Sequence, residues 1–179
     1  MKHRTDFVSN SSSCCYMFPL SNNHDESKWY KESLVVFNDT GRVQLEFDDF
    51  GETGTYRGLL DNWKFLCTQL IYWAVPDLID GTNKTKRFVL RQLYNNPDFL
   101  KIQTAVIMHL EKMSVSCNGI ELDEDEIITN EDGYNYLRPE CRLDHESIFD
   151  GLSDLLERAK CNSVEEFIWG IDRISISWS

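Results

Sequence analysis

A chain of 179 residues with 41% hydrophobic and 12% aromatic side chains carries enough apolar surface for one folded core, which excludes a disordered or fibrous class. No stretch reaches the roughly 20 apolar residues of a membrane helix, and MKHRTDF lacks the apolar block of a signal peptide, so no membrane association and a cytoplasmic location in the host cell are expected. The net charge of −12 is unevenly spread: residues 118–166 hold 15 acids against 4 bases, whereas residues 84–117 hold 6 bases against 2 acids. Such polarity disfavours general nucleic-acid binding yet suits steering toward a basic partner.

The chain opens on DFVSNSSSCCYMF, where five small hydroxyl or thiol side chains lie between apolar residues. Val8, Tyr16 and Phe18 fit a strand that Pro19 ends, because proline cannot donate to a ladder. SLVVF, NDTG and RVQLEF predict a hairpin over residues 33–47, with Asn38 and Asp39 in the turn and Gly41 at positive φ. GETGTYRG reads as a loop. A helix follows from Leu59 to Val75, with Leu59, Trp63, Leu66, Leu70 and Trp73 at helical spacing and Pro76 as its stop. A basic helix is expected from near Thr85. A third starts at Asn96 and Pro97 and buries Phe99, Ile102, Val106, Leu110 and Met113. IEL, DEDE, II and TNEDGYNYL predict two short strands around an acidic hairpin. Asp144 is a candidate cap for a helix over 145–160, and Ser163 with Glu166 forms a capping box before Phe167 and Trp169. Gly170 ends that helix, and RISISW alternates as a final strand. The expected fold is α+β: a single domain over residues 1–179, with a mostly antiparallel sheet of N-terminal strand, hairpin 33–47 and C-terminal strand, packed with four to five helices.

Few residues announce chemistry. The six cysteines show no CxxC spacing; Cys141 with His145 is the nearest approach to a ligand pair, and Cys67 reads as a packed small hydrophobe. Reduced thiols and no metal or cofactor are expected. Of the histidines, His3 and His24 lie in a polar region, His145 stands at a helix start, and His109 reads as a core histidine bonded to a neighbour. Asp123, Glu124, Asp125 and Glu126, with Glu131 and Asp132, lack the register of an EF-hand. They form a charged surface whose functional reading is partner binding by imitation of a phosphate backbone. Lys84, Arg87 and Arg91 share a helix face suited to RNA or DNA phosphates. The plainer reading of that helix is a solvated side, with Phe88, Leu90, Leu93 and Tyr94 turned inward wholly or in part.

The opening also resembles a known signature. Arg4, Asp6, Phe7, Val8, Asn10 and Ser11 to Ser13 match R-x-D-F-V-[ST]-N-S-S-S, which heads small proteins of Firmicutes, their phages and mobile elements; Cys14 and Cys15 stand where serines are usual. The resemblance marks a start rather than an activity, and the proteins so marked include phage-borne anti-CRISPR inhibitors. It implies an interaction protein that blocks a nucleic-acid-handling effector in a bacterial cell. The most concrete partner is a Cas nuclease with a basic nucleic-acid channel, with or without its guide RNA. Two alternatives stand beside it: a cytosolic enzyme using Cys14 or Cys15 as a thiol nucleophile, and a bacterial structural or interaction protein.

Overall fold

The computed structural model describes residues 8–10, 14–19, 29, 30, 34, 37–138, 143 and 148–178. The fold class is α+β, built around one contiguous hydrophobic core. Its main sheet has the order β1-β2-β8-β4, antiparallel throughout, with β1 at Val8–Asn10, β2 at Cys14–Met17, β4 at Gly54–Arg57 and β8 at Arg173–Trp178. Of the small opening residues, Cys14 and Cys15 sit in β2, with Cys14 opposite Trp178 and Tyr16 opposite Ile176, and Ser11 to Ser13 lie outside the described residues. Because side chains alternate across a strand, Tyr16, Ile174 and Ile176 point into the core, while Cys15, Thr55, Ser175 and Ser177 lie on the more open face. Tyr16 and Phe18 stack on each other and pack against Phe65 and Phe149. Tyr16 and Phe18 are core residues.

Helix α1, Leu59–Ala74, crosses beneath this sheet and ends at Val75 and Pro76 as its sequence requires. Asn62 is buried on it and donates to the Ile168 and Ile171 carbonyls at 3.0 and 2.9 Å. These bonds fasten α1 to a π-helical turn, Glu166–Gly170, just before β8. Ser163 accepts from the Glu166 amide, but the Glu166 carboxylate turns to Asn162 and takes its amide at 2.6 Å. A one-turn helix α2, Asp77–Asp80, leads to α3, Lys86–Tyr94, capped by Thr85. Helix α4, Pro97–Lys112, is capped by Asn96, which accepts from Asp98 and Phe99. No described helix is long and apolar enough to cross a membrane.

Three expectations need correction. GTYR, read as a loop, is the edge strand β4. Its polar sequence lacks strand alternation, and pairing with β8 imposes the extended form. The turn of hairpin 33–47 forms, with Gly41 at φ 74° and Asn38 accepting from the Thr40 and Arg42 amides. Among the described residues its strands meet at the Phe37–Val43 bridge, residues 33, 35 and 36 lying outside them, and β3 at Val43–Gln44 pairs in parallel with β5 at Ile120–Glu121, a pairing the hairpin reading did not include. The helix placed at 145–160 begins only at Leu152, as α5, Leu152–Ala159. Phe149 there donates its amide to Gln69 and gives its carbonyl to the Trp73 indole, so its backbone is committed to α1. The Asp144 cap lies outside the described residues.

Candidate interaction surfaces

The acidic segment folds as a 3-10 turn, Glu124–Glu126, followed by the hairpin of β6, Ile127–Thr129, and β7, Asn135–Leu137. Asp123 initiates the turn by accepting from the Asp125 amide at 2.9 Å. In the hairpin Ile127 faces Leu137 and both are buried; the next pair, Ile128 with Tyr136, points the other way. Asn130 accepts from the Gly133 and Tyr134 amides, and Gly133 at φ 82° closes the bend. Glu131 and Asp132 therefore occupy the two central turn positions, where no backbone pairing covers them.

Charge follows from this geometry. Glu124, Asp125, Glu131 and Asp132 are exposed, and none forms an ion pair with a described residue. Glu126 has Arg138 at 3.9 Å, and Glu121 is taken by Arg42 at 2.8 Å and by Asn38. Glu46 joins the same surface from the chain beyond β3. Burial pushes its carboxyl up and the charges of Glu126 and Asp123 push further, while Lys64 pulls it down. Glu46 and Glu126 share a shallow cleft with Gln44, Phe47 and Arg138. Glu46 lies between Leu45 and Phe47, far from residues 123–132 in the sequence, so only the fold adds it to the acidic set. Beside the acids, Ile128 is 43% and Tyr134 42% exposed.

The basic helix adjoins this hairpin. Asn135 and Thr82 exchange both backbone hydrogen bonds, at 2.8 and 3.0 Å, and the Asn135 amide group donates to the Lys84 carbonyl. Tyr136 lies over Gly81, where a Cβ would come within 2.1 Å of its ring. Of the predicted phosphate-binding residues, Lys84 is already paired with Asp77 at 2.5 Å. Arg87 and Arg91 are exposed and carry no ion pair with a described residue. Phe88, expected to turn at least partly inward, is 48% exposed on the same side, with the Lys84 ammonium 5.5 Å from its ring centre. Val89 and Leu93 are buried and Leu90 and Tyr94 pack partly against the core, as expected, whereas Phe88 is left outside.

The groups considered for catalysis are differently placed. His109 is fully buried: Nδ1 meets the Glu165 carboxylate at 2.5 Å and Nε2 the Trp29 carbonyl at 3.1 Å. Its ring stacks on Trp169, so it has no open side for a substrate. Burial pushes the Cys161 thiol up to about 12, with Glu166 adding to the shift, which removes it as a nucleophile at neutral pH. Cys67 is buried as a packing residue, and Cys15 is half-buried. No three potential metal ligands converge among the described residues. His3, His24 and the Cys141–His145 pair lie outside them, as does the Cys14 side chain. No protein-family description, curated protein or solved structure matches this chain.

Proposed function

We propose that this chain is an interaction protein of a phage or mobile element that binds and inhibits a nucleic-acid-handling effector, most concretely a CRISPR nuclease. The observation that carries the reading is the acidic turn and hairpin, in which four carboxylates at residues 124, 125, 131 and 132, without an ion pair to any described residue, stand beside the exposed Ile128 and Tyr134. Effectors of this class hold nucleic acid in positively charged channels. A short β-ribbon of fixed register can enter such a channel, and its charges then act where phosphates would. The apolar pair supplies contact area, while the acids govern the encounter rate and its salt dependence.

The test combines Glu124→Gln, Asp125→Asn, Glu131→Gln and Asp132→Asn in one variant and measures inhibition of effector cleavage at two salt concentrations. Inhibition should weaken about tenfold or more, with a smaller salt dependence and an unchanged melt. Parent-like potency at both salts would remove the hairpin from the interface.

A further inference from the structure

We propose that the outer face of helix α3 is a stacking platform for single-stranded nucleic acid, with Phe88 receiving a base and Arg87 and Arg91 holding the flanking phosphates. At 100° per residue these three side chains fall within about 100° of the helix circumference, opposite the buried Val89 and Leu93. Two features distinguish this face from an ordinary solvated one. Phe88 is among the most exposed large apolar side chains described, although half-burying such a ring is favourable. The guanidiniums on either side of it are not consumed by local carboxylates, whereas Lys84 is.

Every base has a π-face, so an aromatic platform accepts any unstacked base, and arginines beside it suit the backbone. A duplex hides its base faces inside the stack and gains only the phosphate contacts. The face therefore selects single strands over duplexes with little regard to sequence. Lys84 has a different part: its charge is offset by Asp77, and its ammonium stands over the Phe88 ring, 5.5 Å from the centre, so a base stacking on that face displaces it. The chain's net charge of −12 opposes binding and makes it weak. Two phosphate contacts correspond to a salt slope of about −1.4 for a single strand.

The inference stands apart from the effector reading, because it is tested with the full-length protein and naked oligonucleotides. Fluorescence anisotropy at low salt would use labelled oligouridylate, oligothymidylate and a blunt RNA duplex. Both single strands should bind, with the duplex several-fold weaker. Phe88→Ala should weaken single-strand binding about tenfold and Phe88→Trp should retain it. Arg87→Gln with Arg91→Gln should flatten the salt slope by about 1.4. Circular dichroism should show all of these variants folded. Absence of single-strand binding, equal affinity for the duplex, or binding indifferent to Phe88→Ala would each overturn the proposal. So would a polyglutamate probe binding as tightly as the oligonucleotides, since it would identify an acidic protein surface as the occupant. Preference for uridylate over thymidylate within a Phe88-dependent signal supports an RNA strand, and equal affinity supports the shared stacking chemistry.

Discussion

His109 joins three stretches of chain that are far apart in sequence. Its two ring nitrogens face a carboxylate and a carbonyl, both of them acceptors. Tyr30 and Trp169 stack near it, with ring centres 5.1 and 3.6 Å away, and Lys112 reaches the second Glu165 oxygen at 3.3 Å. Burial pushes the Glu165 carboxyl up, but the hydrogen bond and charge of His109, aided by Lys112, outweigh it and hold the group below the usual glutamate range. A carboxylate with a depressed folded-state pKa contributes stability that is present above its unfolded pKa. That contribution is lost as pH falls through the folded value. Urea unfolding from pH 7 downward should therefore show stability falling below the ordinary glutamate range, and Glu165→Gln should flatten that part of the curve. His109→Ala should cost about 3 kcal/mol at pH 7, because it empties a fully buried site against Trp169 and removes the contact to the Glu165 carboxylate. A loss below about 0.5 kcal/mol would mean that His109 does not hold these segments together.

The seam between the β6–β7 hairpin and the start of α3 decides where the two charged surfaces lie. Gly81 is its narrowest point: φ is 95°, and an added Cβ would strike the Tyr136 ring. Gly81→Ala should lower stability by about 2 kcal/mol or more, seen as a lower thermal midpoint, whereas Gly133→Ala meets no atom and should cost less. Similar losses at the two positions would mean that the ring yields and the seam is loose. Elements governed by local signals were legible in the sequence. Thr85, Asn96 and Pro97 start their helices, Pro76 stops one, and RISISW alternates. What escaped depended on partners distant in the chain. GTYR becomes a strand only because β8 lies beside it, and the parallel pairing of Val43 with Ile120 joins residues that no turn connects. The acidic residues were legible as a charged surface, since runs of that kind are solvated. The exposure of Phe88 was not, because helical spacing alone left its face open and the packing of Val89 and Leu93 decided it.

Across the whole molecule, β8 is the hub: β2 and β4 flank it, and Ile174 and Ile176 carry the sheet into the core. Removing residues 1–18 deletes β1 and β2, bares one edge of β8 and empties the space of Tyr16 and Phe18. Each lost ring is worth about 3–5 kcal/mol, against a total stability of roughly 5–15. The truncated chain should show no cooperative melt by circular dichroism. A melt near the parent temperature would mean that the remaining sheet stands without them. The position of β8 also sets an order of events during synthesis. Both of its neighbours leave the ribosome long before it does, β2 ending at residue 17 and β8 starting at residue 173. At about 5–20 residues per second, β2 waits roughly 8–30 s for its partner. During that interval two strand edges and a cluster of aromatic rings are uncovered, so the nascent chain is exposed to chaperones and to self-association until residues 173–178 emerge.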